Sequence, residues 1–513
     1  MRNFKALAGL VLIALLSTPT VAHAGASSIT VGTTDQVVSL DPAGSYDLGS
    51  QQLIGNLYQN LLTIPAGGNQ PKPDAAKRCA FKNAKTYVCT LRGGLTFSNG
   101  DRLTAADVKF SLDRVLRIAD PSGPSSLLAN LARVDATSAK TVTMHLRRAD
   151  ATWPSILTHT AAAIVPKRVF PARRLLADEK VIGSGPYKLN RYVPNQQALL
   201  SRNTRYSGSK AKTKQIFVVY FVTSATLKLA IEHGIVDVAF RGFSPAEIAQ
   251  LRTESAAGVQ VLEGPGSEIH YLVFDVRNAP VSNVAVRQAI AQVIDRAALA
   301  RTVYADTVTP LYSLLPAALY GAKPVFQTTY GAPSVANAQA TLAAAGITTP
   351  VALDAWYTPT HYGPEEAADL GEIRRQLEAS GLFTVKLGAQ DWEAYKEAAI
   401  SRHKYPLYGL GWFDDYPDGD NFLAPFLRDG GFMQHGYENA TADQLLDREL
   451  ASTKPAERAA IFGQLQDVVT RDVPLLPLWE RKQSVAVRTG VEGVEKSFDP
   501  ALQMRFWLVS KRH

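Results

Sequence analysis

The sequence predicts a mixed α/β protein built in more than one lobe, and three observations carry that reading. The chain, at 513 residues, exceeds one ordinary domain. Amphipathic helical stripes alternate with short apolar strand runs along its length. No internal repeat or low-complexity tract interrupts the alternation.

The first element is a leader. Arg2 and Lys5 precede an apolar stretch from about Ala6 to Leu16, and Ala22-His23-Ala24 offers a small-x-small cleavage pattern. This reads as a secretory signal peptide over residues 1–24, cut after Ala24. The stretch falls short of the ~20 residues a membrane span needs, which disfavours a retained anchor helix. No Cys lies near the cut and no twin-arginine pair precedes it, so the expected location is periplasmic or secreted, without a lipid anchor. An exported chain meets an oxidising compartment. Cys79 and Cys89, the two cysteines, flank a turn at Lys82-Asn83-Ala84-Lys85 between two short strands. A hairpin there sets them side by side, and a disulfide is expected. Metal or redox chemistry is disfavoured, because no C-x-x-C or neighbouring His is present.

The hairpin's second strand is Tyr87–Leu91, continued by Leu95-Thr96-Phe97 and closed by the turn residues Ser98-Asn99-Gly100-Asp101. Thr104 and Asp107 form a capping box, and Val108, Leu112, Val115 and Leu116 give the following helix its apolar stripe. Gly183-Ser184-Gly185-Pro186 is a tight turn into a strand at Tyr187-Lys188-Leu189. It lacks the ending of a Walker loop, and Pro186 removes an N–H that a phosphate cradle would use. Ala225–His233 reads as helix, stopped by Gly234, with Ile235–Phe240 as strand. Val286, Ala289, Ile290, Val293 and Ile294 form another stripe. Pro364 opens a helix carrying Ala367, Leu370, Ile373 and Leu377, Gly381 ends it, and Phe383, Val385 and Leu387 alternate as a strand. Leu407–Leu410 reads as a strand, Pro455 opens a late helix, and Leu475–Trp479 is a returning strand.

The local motifs favour binding over turnover, although a catalytic triad can assemble from residues distant in sequence. No G-x-S-x-G elbow and no H-E-x-x-H occurs, and no two histidines stand at i, i+2 or i, i+4. The chain carries net charge +8, two units of it in the leader, but its Lys and Arg are dispersed, so nucleic acid is not an expected partner. The most unusual local composition is Gly411-Trp412-Phe413-Asp414-Asp415-Tyr416-Pro417-Asp418-Gly419-Asp420-Asn421-Phe422, which mixes carboxylates and aromatics after a strand. Such a segment suits a polar-ligand site at a strand end. An acid can hold a cation, and Trp and Tyr supply flat walls. The same residues suit an Asp-rich turn that caps the next helix, and composition alone does not separate the two. A calcium loop of EF-hand spacing does not fit.

The segment Leu91-Arg92-Gly93-Gly94-Leu95-Thr96-Phe97-Ser98-Asn99-Gly100, followed by Leu103-Thr104-Ala105-Ala106-Asp107-Val108-Lys109-Phe110-Ser111, resembles the signature of family 5 bacterial solute-binding proteins. These are dipeptide, oligopeptide and nickel receptors of ABC importers. Ser39-Leu40-Asp41-Pro42, Gly183–Tyr187, Val286–Ile290 before Ile294-Asp295-Arg296, and the Gly-Trp-x-x-Asp-Tyr segment agree in order. The resemblance implies a two-lobed, hinged periplasmic-binding-protein fold. Lobe I would be 25–266 plus 485–513, with an extra subdomain at about 60–185, and lobe II would be 267–484. It also implies closure of the lobes on a ligand, no cofactor and no catalysis.

The resemblance further implies site residues. Peptide-holding members use an aspartate three residues after the Trp to pair with the ligand's α-amino group, and Asp415 stands there after Trp412. Trp412 and Trp392 match pocket-lining tryptophans, and Tyr46 follows the Leu-Asp-Pro segment where lobe I faces the cleft. One oligopeptide-binding member has an arginine, three residues before that Trp, for the peptide C-terminus; here the position is Gly409. Arg402 and His403 lie nearby in sequence without an assigned role. The expected function is a monomeric receptor that delivers di- or oligopeptides to a membrane-embedded ABC permease. The alternatives are a same-fold receptor for a nickel chelate, opine, sugar or antibiotic, and a secreted hydrolase.

Overall fold

The structure, a computed structural model, describes residues 28–253, 258–359, 361–498 and 503–512. The leader and its cut after Ala24 lie outside the described residues. Among these residues no helix is long and apolar enough to cross a membrane.

Two mixed sheets form the body. The first has seven strands in the order Val259–Gly264, Gln483–Arg488, Val238–Phe240, Ser28–Thr33, Gln215–Tyr220, Gln197–Arg202, Tyr187–Val193. Ser28–Thr33 runs parallel to both neighbours, and its six residues are all buried. The second has six strands in the order Val308–Pro310, Leu475–Arg481, Ile269–Phe274, Leu407–Trp412, Val351–Tyr357, Phe383–Ala389. Ile269–Phe274 is also buried throughout, as expected of a central strand packed on both faces.

The chain passes between these sheets twice, from Gly264 to Ile269 and again at Lys482. Strands on either side of the two passages pair antiparallel, so the connectors run side by side. Gly266 makes this possible, since a Cβ there would stand 1.9 Å from the Arg481 carbonyl oxygen.

A third sheet is antiparallel, in the order Ala76–Asn83, Thr86–Leu91, Thr141–Leu146, Leu131–Ala136. Cys79 faces Cys89 across its hairpin, and their sulfurs are bonded at 2.01 Å. Helix Ala105–Ile118 covers the sheet. Thr104 and Asp107 close the capping box at its start, and Val108, Leu112 and Val115 are buried in a core with Val134, Val142 and Met144. Each such side chain taken out of water contributes roughly 1.5–3 kcal/mol.

Several local readings shift. Leu95–Phe97 does not extend its strand; Thr96 makes one isolated bridge to Arg102. Gly94, at φ +75°, turns the chain away, while Leu95 and Phe97 still point into the core. Ile235–Asp237 is turn, and the strand begins at Val238. The helix after Pro364 begins at Glu366. Gly183 and Gly185 owe their identity to close approach, with a Cβ at 183 lying 2.0 Å from the Leu57 carbonyl oxygen.

Candidate functional site

Tyr46 and Asp415, 369 residues apart in sequence, meet where the two large parts of the chain face each other: the Tyr46 hydroxyl donates to Asp415 Oδ1. Both side chains are held from behind. Asp41, five residues before Tyr46, is buried and gripped by Arg114 through two bonds of 2.7 and 2.6 Å. Arg114 also donates to the carbonyls of Pro171 and Arg174. On the other side of Tyr46, Asp47 caps helix Leu48–Leu57 by accepting from the Ser50 N–H. Tyr46 therefore stands on a two-ended turn, with its ring edge-on to His159 at 5.8 Å.

The aspartate-rich segment divides its labour. Asp418 is structural: Arg458 donates to both its oxygens at 2.6 Å and to Glu449 at 2.6 Å, all three side chains being buried. The Tyr320 hydroxyl adds a bond of 3.0 Å to Asp418. Asp420 opens helix Asp420–Leu427 and accepts from the Tyr416 hydroxyl. Asp415 is half-buried and has neutral donors, Tyr46 and the Asn421 amide at 3.3 Å. Burial pushes its carboxyl above the usual aspartate value, and the Tyr46 and Asn421 hydrogen bonds pull the other way.

Trp412 ends the strand Leu407–Trp412, and Trp392 opens the helix Trp392–Lys396. Trp412 donates its indole N–H to the Asn421 carbonyl at 2.9 Å and packs on Phe426 and Phe432. Trp392 stacks flat on His361 at 3.7 Å between ring centroids. A cavity nearby has a wall that includes Leu48, Phe243, Glu268, Tyr362, Phe413 and Arg481. Neither tryptophan contributes to that wall; their neighbours Phe413 and His361 do. Glu268 and Arg481 form an ion pair of 2.9 Å within it. Phe413 lies inside the segment singled out from composition. Phe243, Glu268 and Arg481 carry no sequence signal of their own, because the sheet crossings bring them there.

Gly409 points into the protein. A Cβ there would lie 3.2 Å from His270 Nε2 and 3.3 Å from Leu370, so an arginine has no room in this arrangement. Arg402 pairs with Glu397, and His403 approaches Asp275 at 3.8 Å; neither belongs to the cavity wall.

A family model described as bacterial extracellular solute-binding proteins, family 5, matches residues 70–434. A probable D,D-dipeptide-binding periplasmic protein of Escherichia coli (strain K12) is 24% identical over 95% of this chain and 95% of its own. Heme-binding protein A of Haemophilus influenzae is 25% identical over 85% of this chain and 82% of its own. Among solved structures, a periplasmic murein tripeptide binding protein in its unliganded open form superposes with a TM-score of 0.83 at 20% identity, covering 96% of this chain and 98% of that one.

Proposed function

This chain belongs to family 5 of the bacterial extracellular solute-binding proteins, and from that membership we propose that it is an exported receptor capturing di- or oligopeptides by their free α-amine. It would hand them, unchanged, to a membrane-embedded ABC permease. It works as a monomer outside the cytoplasm.

The observation that carries the reading is Asp415, a half-buried carboxylate between the lobes with neutral donors at its oxygens. A carboxylate withdrawn from water is costly without a cation, and a peptide's ammonium supplies one. Burial has already pushed the carboxyl up, so the ion pair formed on binding returns free energy that water no longer supplies. Apolar surfaces of Phe243, Leu48 and Phe413 in the adjoining cavity accept side chains without demanding a particular one. A ligand bridging Tyr46 and Asp415 touches both lobes and so favours their closure.

A non-peptide solute is the second reading. The heme-binding relative and the aromatic content of the cavity wall favour it.

The test is a thermal-shift screen of the mature protein against free di- to pentapeptides, their N-acetylated forms and a nickel–histidine mixture. Ligand at 100 times Kd adds about 2.7 kcal/mol, a visible rise in melting temperature. Stabilisation by free but not acetylated peptides supports the proposal. No shift with any peptide discards it in favour of another solute.

A further inference from the structure

Beneath the cavity, in the core of the second sheet, lies a cluster that peptide capture does not use. His270, on the central strand Ile269–Phe274, and Glu366 and Asp369, on helix Glu366–Ala379, are each at most 1% exposed. Glu366 and Asp369 stand three residues apart, on one face of the helix, and that face meets His270. One ligand atom from each of the three lies within 4.8 Å of the other two.

The cluster is unsatisfied. Neither ring nitrogen of His270, neither oxygen of Glu366 and not Oδ1 of Asp369 has a hydrogen-bond partner. The nearest approach is His270 Nε2 to Glu366 Oε1 at 3.4 Å. Trp479 supplies one bond, of 3.3 Å, to Asp369 Oδ2, and the Tyr304 hydroxyl faces the same carboxyl as a second donor. Arg481 is the nearby cation, but its guanidinium is taken by Glu268 at 2.9 Å and by the Tyr362 carbonyl at 3.3 Å. Buried polar atoms are nearly always paired, and a buried carboxyl either keeps its proton or is held by a cation or a metal ion.

We propose that His270, Glu366 and Asp369 form a binding site for one divalent transition-metal ion of the zinc class. An imidazole nitrogen with two carboxylate oxygens is a donor set that such ions accept. Bonds of about 2.1 Å place neighbouring ligand atoms of a tetrahedral ion about 3.4 Å apart, and the His270–Glu366 separation of 3.4 Å matches that edge. The ion would neutralise both carboxylates. Calcium and magnesium fit poorly, since they take about six or more oxygen ligands and the pocket offers one nitrogen and two carboxylates.

An organic cation fits less well. The donor atoms lie within 4.8 Å of one another, a spacing that suits a single ion, and the rings of Trp479, stacked on His270 at 4.8 Å, and Tyr362, edge-on at 5.6 Å, flank them. Gly409 borders them too, because a Cβ there would come within 3.2 Å of His270 Nε2. Tyr362 and Gly411 also line the cavity above. Occupancy would therefore tie helix to strand directly under that cavity.

The experiment uses untagged mature protein, stripped with EDTA and dialysed, titrated calorimetrically with zinc chloride, with magnesium chloride as control. Saturable binding of one zinc per chain, with a raised melting temperature and none for magnesium, is the expected result. Glu366→Gln and Asp369→Asn, which keep shape and lose charge, should each weaken zinc at least about tenfold, with cooperative melting showing that both variants fold. Cobalt binding should give visible absorption bands that change in His270→Ala. Absence of zinc binding, or zinc binding equally strong in Glu366→Gln and Asp369→Asn, overturns the site. Neither outcome touches peptide capture, which is read from the free and N-acetylated peptide arms of the screen on EDTA-stripped protein.

Discussion

The Tyr46 hydroxyl donates to the carboxylate of Asp415 across the gap between lobes, joining a turn near the start of the described chain to a strand end beyond residue 400. The contact is polar, exchangeable and neutral on one side. A ligand that brings a positive charge can replace the phenol or sit beside it.

Replacing Asp415 with Ala therefore weakens any ligand held by an ammonium group. The expected loss is at least about tenfold, or ~1.4 kcal/mol, and larger where the ammonium is left fully desolvated. Titration calorimetry with the best free peptide from the screen measures it. An unchanged affinity removes Asp415 from the site.

Affinity for that peptide falls on acidification. An ammonium binds the ionised carboxylate, so a proton competes with it, and below the ligand-free pKa affinity drops about tenfold per pH unit. Because burial raises the Asp415 carboxyl, the loss begins at a higher pH than an ordinary aspartate would give. Tyr46→Phe removes a hydrogen bond that favours the ionised form and moves the limb to still higher pH. In the ligand-free protein the sign is opposite: the folded state holds this proton more tightly than the unfolded chain, so acidification through the same window adds stability. Calorimetry across pH on wild type, Tyr46→Phe and Asp415→Asn reads the first effect, with Asp415→Asn expected to be flat.

Removal of Arg458 strands Asp418 and Glu449, two buried carboxylates that it binds at 2.6 Å. Arg458→Ala should cost about 3–5 kcal/mol in urea unfolding. The same change frees the segment that carries Asp415, so peptide affinity falls with stability. A variant as stable as wild type contradicts the assignment of Asp418 as structural.

Loss of the Cys79–Cys89 bond releases a short loop in the unfolded chain. A double Cys→Ala variant should be less stable by about 3 kcal/mol, with peptide affinity near wild type because neither cysteine lies at the Tyr46–Asp415 contact. Denaturant unfolding and one calorimetric titration check both halves.

Local order was legible where a residue's role depends on near neighbours. Thr104 and Asp107 announced a helix start because a capping box closes within one turn. Cys79 and Cys89 announced their bond because a hairpin turn sets its own register. Leu95-Thr96-Phe97 misled, since alternation reports which side chains are buried, and Leu95 and Phe97 are buried from a turn as well as from a strand. Phe243, Glu268 and Arg481 were invisible for a different reason. Nothing near them in sequence differs from ordinary surface composition, and their meeting depends on the connectors between sheets. His270, Glu366 and Asp369 were missed likewise. Paired histidines were the metal signal sought, whereas this cluster draws one residue from a strand and two from a helix distant in sequence.

Strand Gln483–Arg488 lies between Val238–Phe240 and Val259–Gly264, and it enters the first sheet after the whole second sheet has been laid down. Until it arrives, the earlier strands on either side have unpaired backbone along an open slot, and Val485 and Val487 are missing from the core they complete. The first sheet is thus completed only after the strands of the second have been synthesised. A nascent or truncated chain ending before Gln483 presents two raw sheet edges to its surroundings, so such a chain should need a chaperone's cover until Gln483–Arg488 fills the slot.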